Sequence, residues 1–147
     1  MKFLRRATID DMDLIYDWAN DPVVRSNSFN TNSIRYEDHQ QWYKNVMEDA
    51  SVLLYILMDD EIPIGQIRLN IQDSEAEISY SVSAEYRGKG YGKILLELIV
   101  DEVKISHPEI KTLLAKVKPD NLASNKLFVD EGYDMGYSCY NKKLSDN

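Results

Sequence analysis

The sequence is poor in the features that mark secreted or membrane-embedded proteins. Its single cysteine, Cys139, cannot form an internal disulfide. No apolar run approaches the roughly 20 residues that a membrane-spanning helix needs. Residues 1–6 also lack the long apolar region of a signal peptide. These absences favour a cytoplasmic, reducing compartment and predict no membrane partner.

Positive charge is scarce as well. Lysine and arginine together number 17 against 25 aspartates and glutamates, which gives a net charge of −8 and a pI of about 4.7. This balance disfavours non-specific binding to nucleic acid, so an anionic ligand must be held by a local positive site. We predict no nucleic-acid partner and no metal site. We also expect a single domain over residues 1–147 and a monomer or homodimer.

Hydrophobic periodicity predicts an α/β (α+β) protein in which helices cover a mixed sheet. Asp10 is expected to cap a first helix that residues 20–22 end. Residues 36–48 are expected to form a second helix. The apolar positions change phase at Gly65, which predicts a β-bulge because side chains alternate with a period of two. Later strands are predicted at residues 110–118, 133–137 and 139–144.

Glycine is rare too, and half of the six glycines fall between residues 88 and 92. They follow a strand-like run at residues 77–82 and precede a helix-like run at residues 91–105. Free N–H groups and the dipole at a helix N-terminus favour an anion, and glycine allows positive φ and close approach of a ligand. Arg87 and Lys89 add positive charge. The segment therefore predicts a phosphate-binding loop.

Two common phosphate loops do not fit this segment. A P-loop needs serine or threonine after its lysine, but Gly92 and Lys93 are followed by Ile94. A dinucleotide fingerprint that begins at Gly88 would need a glycine at position 93. Both classes of nucleotide-binding protein are therefore disfavoured.

The remaining interpretation is Arg-x-x-Gly-x-Gly over Arg87, Gly90 and Gly92. This pattern resembles the pyrophosphate loop of the GNAT family of N-acetyltransferases, which bind acetyl-CoA. A glycine-rich strand-to-helix turn without a ligand is the alternative for so short a match. Residues 121–133 resemble the family's later Asn-x-x-Ala/Ser…Gly-Phe segment. The resemblance implies the GNAT fold, a mixed and mostly antiparallel sheet flanked by helices, with a β-bulge and splayed strands at the cofactor cleft.

The same resemblance implies a set of cofactor contacts. Backbone N–H groups of residues 87–92 would hold the pyrophosphate. The main chain of Tyr80 and Val82 would run along the pantetheine, with an N–H that polarises the thioester. Asn121 and Ser124 would add contacts, although helix capping is an alternative role for them. The predicted cofactor-binding residues are Tyr80, Val82, Arg87, Gly88, Lys89, Gly90, Tyr91, Gly92, Asn121 and Ser124.

Acetyl transfer to an amine also needs a base, because an amine with a pKa of about 8 is mostly protonated at neutral pH. Glu77 lies on the polar face of the strand before the loop, where related enzymes often place a carboxylate that acts through water. A solvated strand glutamate is the alternative interpretation. Glu75 shares this face and is the reserve candidate.

The proton donor is harder to assign. The family often carries a tyrosine seven residues after the asparagine of the second motif, and Phe128 stands there. Tyr133 is our candidate, with Tyr137 and Tyr140 as alternatives. A CoA that leaves as free thiolate or a degenerate site would also account for Phe128.

Residues 18–28 and 34–42 resemble one subfamily, the aminosugar-nucleotide N-acetyltransferases of the pseudaminic-acid pathway. The implied acceptor is a UDP-linked 4-amino-4,6-dideoxy sugar, a nucleotide-sugar amine. The candidate acceptor contacts are Asn20, Arg25, Ser28 and His39. Arg25 is the strongest of them because it lies in a predicted loop with no periodic core role, whereas His39 shares a helix face with Trp42 and also fits a structural role.

Two other functions fit the same residues. A protein N-terminal acetyltransferase of the ribosomal-protein type has a similar front half and would bind a peptide terminus. A CoA-binding module without catalysis would account for Phe128.

Overall fold

The computed structural model describes residues 1–136 and 142, which form five strands and five α-helices. The strands form one sheet in the order β1-β2-β3-β4-β5. Short 3₁₀ turns at Ile9–Asp11 and Ala84–Tyr86 join some elements. The elements are β1 (Lys2–Arg6), α1 (Met12–Ala19), α2 (Pro22–Asn27), α3 (Tyr36–Glu48), β2 (Val52–Asp59), β3 (Ile62–Gln72), β4 (Glu75–Val82), α4 (Tyr91–Ser106), β5 (Thr112–Leu114) and α5 (Leu122–Asp130).

The sheet is mixed and mostly antiparallel, as predicted. β1 to β4 pair in antiparallel succession, and β5 is the parallel strand. Its pairing with β4 covers only Glu75 to Glu77, opposite Thr112 to Leu114. β4 continues to Val82 beside β3, whereas β5 ends at Leu114. The two strands therefore part at their carboxyl ends, which confirms the predicted splayed pair.

The predicted bulge is present in β3. Leu57 of β2 lies opposite Gly65, but the next residue, Met58, lies opposite Pro63, so Ile64 is the extra residue. Gly65 is required here by close approach of β3 to β4. A Cβ at this position would collide with the Ser81 carbonyl oxygen.

The two faces of the sheet differ in polarity where β3 and β4 lie side by side. One face carries Ile67, Leu69 and Ile78 into a core with α4 and α5. The opposite face is apolar only on β2, where Leu54 and Ile56 pack against α1 and α3 in a second core. On β3 and β4 this second face is polar instead, because alternate residues point to opposite sides. Its residues are Gln66, Arg68, Glu77, Ser79 and Ser81.

The start of the front helices differs from the prediction. Thr8, not Asp10, caps the first turn, because its side chain accepts a hydrogen bond from the Asp10 N–H. Asp11 completes the capping box by accepting from the Thr8 N–H at 2.8 Å. The capping signal was present at Thr8 and three residues later at Asp11, so the correct boundary was readable from the sequence.

α2 was not predicted. Asp21 and Pro22 were interpreted as the end of the first helix, but they also begin a second one. The Asp21 carboxylate accepts from the N–H groups of Val23 and Val24, and proline occupies the first helical position, where it loses no hydrogen bond. Arg25 consequently lies on a short helix and not in a loop.

The remaining predictions agree in part with the structure. α3 spans the predicted residues, and its inner face buries His39, Tyr43 and Val46. The strand predicted at residues 110–118 is present only as Thr112–Leu114. Residues 133–136 form no strand, and most of the remaining predicted strand residues lie outside the described part of the chain. Over the ranges that the structure describes, no helix has the length and apolar character needed to cross a bilayer.

We expect Gly65→Ala to destabilise the protein by about 1–3 kcal/mol, because the added methyl group forces β3 away from the Ser81 carbonyl. Chemical denaturation would measure the change in unfolding free energy. Gly136→Ala is the matched control, since a Cβ there meets no described atom within 4 Å. Equal stability of the two variants would contradict close strand approach at the bulge.

Candidate active site

A cleft of about 1100 Å³ opens where β4 and β5 part. On one side it is lined by α2, α3 and the polar face of β3 and β4. On the other side lie the glycine loop and α5. Of the predicted acceptor and base residues, Arg25, Ser28, His39 and Glu77 line the cleft. The predicted cofactor residues that line it are Tyr80, Val82, Arg87, Gly88, Gly90, Tyr91, Gly92, Asn121 and Ser124.

The glycine loop presents main-chain donors at the start of α4. Gly88 and Gly90 have φ values of +76° and +86°, a region that favours glycine. Gly90 is the N-cap of α4 and no side chain caps the helix. The N–H groups of the first turn, beginning at Tyr91, therefore lack an intrahelical partner beside the cleft. This geometry suits an anion with several oxygen atoms.

The two cations of the loop do not point at such an anion. The Arg87 guanidinium pairs with the Asp21 carboxylate at 3.0 Å, and its Nε donates to the Val82 carbonyl at 3.1 Å. Lys89 is exposed, with its ammonium 5.8 Å from the Tyr86 ring centre and away from the cleft lining. Of the two contributions expected at this loop, main-chain N–H groups and positive charge, only the main-chain groups are left without a partner beside the cleft.

The main chain of β4 faces the gap left by β5. The Ser74 carbonyl accepts from the N–H groups of Lys111 and Thr112 on the β5 side, whereas the Ser83 N–H donates to Ile64 on the β3 side. Successive residues of a strand direct their N–H and C=O groups to opposite sides. Tyr80 and Val82 therefore turn their N–H groups toward the gap, in the place expected for pantetheine contacts.

Side chains of β4 and α5 hold the cleft wall together. The Tyr80 hydroxyl and Ser124 Oγ are 2.7 Å apart, and Asn121 accepts from the Ser124 N–H at 3.2 Å. Asn121 is the N-cap of α5, which is the alternative role that the sequence left open for it. The Tyr80 ring also packs edge-on against Phe128, with 5.8 Å between ring centres. Burial raises the pKa of Tyr80, so its phenol stays protonated at neutral pH.

Tyr133 is not part of this cleft, so the prediction that it donates a proton there does not fit the structure. Its ring packs on Phe128 at 5.0 Å and lies in a separate depression beside Leu96 and Val100 of α4. Its enclosed hydroxyl has no hydrogen-bond partner within residues 1–136. The packing of Phe128 in the core separates Tyr133 from the cleft. The spacing of the motif cannot reveal this separation. Tyr137 and Tyr140 lie outside the described residues.

Glu77 lies on the floor of the cleft, as expected for the base. Its carboxylate is 3.2 Å from the Lys116 ammonium, and its side chain is 32% exposed. Glu75 is exposed and does not line the cleft. The structure therefore separates the two candidates by position.

The predicted acceptor contacts are largely engaged in holding the front of the protein together. Asn20 bonds the main chain of Ile34 at 2.9 and 2.7 Å and does not line the cleft. Arg25 donates to the carbonyl groups of Ala19, Asn30 and Asn32, at 2.7 to 3.2 Å, and to Ser28. Its donors are mostly used, so a phosphate role for Arg25, our strongest sequence candidate, loses support.

His39 is also held by contacts within the protein, in agreement with the structural role that the sequence offered as an alternative to acceptor binding. Its Nε2 is 2.8 Å from the Met12 carbonyl oxygen, which can only accept, so Nε2 carries the proton. The ring is 2% exposed and packs among Tyr16, Trp42 and Tyr43. It contributes one edge to the cleft lining.

Arg68 is a cleft residue that the sequence interpretation missed. Its guanidinium lies 5.2 Å from the centre of the Trp42 ring, and burial lowers its pKa. The signal was the polar position between Ile67 and Leu69, which alternation places on the face of Glu77.

Comparison with known proteins shows the family to which the chain belongs. Residues 3–133 match the family model described as the acetyltransferase (GNAT) domain. Acetyltransferase PseH from Campylobacter jejuni subsp. jejuni serotype O:23/36 (strain 81-176) is 30% identical over 148 residues, with 95% of this chain and 91% of the relative covered.

Solved structures show the same fold. Spermidine N-acetyltransferase from Vibrio cholerae, in complex with CoA and spermine, superposes with a TM-score of 0.82 at 19% identity and covers 92% of this chain and 82% of its own. Aminoglycoside acetyltransferase AAC(6′)-Ib in complex with coenzyme A superposes with a TM-score of 0.77 at 23% identity, with 91% and 84% covered.

The chain belongs to the GNAT acetyltransferase family. It is an acyltransferase whose acetyl donor is acetyl-CoA. The residues present fit this donor, since the first turn of α4 offers free N–H groups and the parted strands offer an open main-chain edge.

Gly90→Asp should weaken CoA binding by about 100-fold or more, because it places a carboxylate where the loop holds the pyrophosphate. Gly90→Asn is the matched control, since asparagine tolerates positive φ about as well as aspartate but is uncharged. Calorimetric titration with CoA compares the two variants. Equal affinities would remove this loop as the pyrophosphate site.

The Arg87–Asp21 pair should couple the loop to α2. In a double-mutant cycle of Arg87→Gln and Asp21→Asn, we expect a coupling of about 0.5–1 kcal/mol in the unfolding free energy. Asparagine is chosen because it keeps the N-cap of α2. Strictly additive effects would mean that the pair contributes nothing to stability.

Proposed function

We propose that the protein transfers the acetyl group of acetyl-CoA to the primary amine of an amino-sugar nucleotide, of the UDP-4-amino-4,6-dideoxy sugar type. The observation that carries this proposal is the position of Glu77, on the polar floor of the cleft and one strand position from the main chain that faces the β4–β5 gap. The base and the acetyl group would meet there.

The division of the cleft supports an assignment of roles. Acetyl-CoA supplies the activated acyl group. The N–H groups at the start of α4 hold the pyrophosphate, and the N–H groups of Tyr80 and Val82 orient the thioester and stabilise negative charge on its oxygen. Glu77 would accept the amine proton, directly or through a water molecule, as the amine nitrogen bonds to the carbonyl carbon of the thioester. The C–S bond would then break, and CoA would leave as a thiolate that takes a proton from solvent.

The acceptor class rests on two further observations. The front third of the chain resembles the aminosugar-nucleotide N-acetyltransferases, and the alignment with PseH covers 95% of the chain, so it includes most of that third. The part of the cleft lined by α2, α3 and the polar face of β3 and β4 is called the acceptor half here. It also offers a flat aromatic ring, Trp42, beside polar strand residues. A planar ring with polar neighbours suits a base or a sugar face.

Thiol release with a panel of UDP-aminosugars, polyamines and peptides tests the acceptor. We expect turnover with a UDP-linked 4-amino sugar. Turnover on peptide N-termini alone would favour the protein N-terminal acetyltransferase, and tight acetyl-CoA binding without turnover of any amine would favour a non-catalytic module.

Glu77→Gln should lower turnover by roughly 100-fold at about pH 6.5, where the amine is protonated and needs a base. The loss should shrink as the pH rises toward the amine pKa of about 8, because a growing fraction of the amine then arrives deprotonated. Glu75→Gln is the matched control on the same strand face, exposed and outside the cleft. If the pH–rate profile of Glu77→Gln runs parallel to that of wild type, Glu77 is not the base.

A further inference from the structure

Arg68 differs from the other arginines beside the cleft. The other arginines beside the cleft have acceptors: Arg25 bonds three carbonyl groups and Arg87 pairs with Asp21. Arg68 is half-buried on β3, and it makes no hydrogen bond or ion pair within the described ranges, 1–136 and 142. Its charge is nevertheless removed from bulk water, and burial lowers its pKa.

A half-buried guanidinium without protein acceptors is unfavourable, because it loses part of its hydration and gains no hydrogen bond in return. Glu77 is the acidic group that acts on it through space, but the Glu77 carboxylate is bonded to Lys116 at 3.2 Å. The Trp42 ring offers its face and not an oxygen atom. The donors of Arg68 therefore remain available to a ligand in the cleft.

The position of Arg68 restricts which ligand this is. The residue lies opposite Ser79 on β4, on the face of Glu77, and so in the acceptor half of the cleft. α4, whose first turn fits the pyrophosphate of acetyl-CoA, packs against the opposite face of the sheet. An anion that Arg68 binds therefore belongs to the acceptor and not to CoA.

We propose that Arg68 and Trp42 form a phosphate-binding subsite for the acceptor, with Arg68 donating to phosphate oxygens while Trp42 fixes the guanidinium plane and supports an adjoining ring. The proposal rests on the proposed function for the acceptor class, and it assigns to Arg68 the phosphate contact that the sequence had placed at Arg25. A planar guanidinium held on an aromatic face is preorganised for two parallel N–H···O bonds to a phosphate.

Titration of CoA-saturated protein with UDP tests the subsite, because bound CoA prevents UDP from occupying the pyrophosphate loop. We expect Arg68→Gln to weaken UDP binding by about tenfold or more. The UDP affinity of Arg68→Lys, which keeps the positive charge but loses the planar guanidinium, should lie between those of wild type and Arg68→Gln. Binding of uridine, which lacks phosphate, should be equal in wild type and both variants. Arg35→Gln is the matched control, since Arg35 is 77% exposed and outside the cleft lining.

Thermal unfolding without ligand separates this role from a structural one. If Arg68 serves to bind a ligand, it contributes little to the stability of the ligand-free protein. Arg68→Gln should therefore keep or raise the wild-type melting temperature. A lowered melting temperature together with unchanged UDP affinity would make Arg68 a structural residue and overturn the proposal. Equal UDP affinity of Arg68→Gln and Arg35→Gln would also overturn it.

The outcome is distinguishable from failure of the proposed function. If wild type acetylates amino sugars but does not bind UDP, the acetyl transfer stands and the phosphate subsite is wrong. If UDP binds in an Arg68-dependent manner but no amino-sugar nucleotide is acetylated, the subsite stands and the acceptor is wrong.

Discussion

The parting of β4 from β5 is the constraint on which the rest of the site depends. A sheet normally satisfies every strand N–H and C=O with a neighbour, yet β4 continues to Val82 after its pairing with β5 ends at Glu77. The main chain that turns toward the missing partner must bond something else, and a cofactor with amide groups along its length is a suitable partner. The bulge at Ile64 and Gly65 lies on the neighbouring strand beside this stretch, where Gly65 pairs with Val82. The strand irregularity and the open edge therefore lie at one place in the sheet.

The front of the protein is attached to this edge through a small number of polar contacts. Asp21 caps α2 and pairs with Arg87, and Arg87 in turn bonds the last carbonyl of β4. Lys118 reaches α2 from the other side of the cleft and donates to the Ser26 carbonyl at 3.2 Å. α2 is thereby tied at both sides to elements that line the cofactor region. α2 therefore links the glycine loop to the part of the cleft that we assign to the acceptor.

Much of the architecture was accessible from the sequence because its signals are local. The loop at residues 87–92, the bulge at Gly65 and the bounds of α3 follow from glycine placement and side-chain periodicity. The roles of Arg25, Asn20 and Arg87 were not accessible, since their partners are carbonyl groups and a carboxylate brought close only by folding. Tyr133 illustrates the same difficulty. It is the candidate substitute because Phe128 stands where the family often carries its tyrosine, but packing on Phe128 directs its ring to α4. Arg68 was missed although its signal is local. The strand is recognised by its apolar positions, which mark the core face, whereas Arg68 lies on the other face of the sheet.

The acidic composition restricts how an anion can be held in each half of the cleft. With a net charge of −8, a free cation near the surface attracts the protein's own carboxylates, as Arg87 does with Asp21. A loop that holds phosphate through N–H groups avoids this competition, because a peptide donor carries no net charge for a carboxylate to neutralise. In the acceptor half the ligand would face the side chains of β3 and β4, because the N–H groups of a strand lie in the plane of the sheet and not on its faces. A charge there must come from a side chain, and an aromatic face keeps that charge in place without neutralising it. The Trp42 ring lies beside Arg68 in this way, next to a glutamate that is bonded to Lys116.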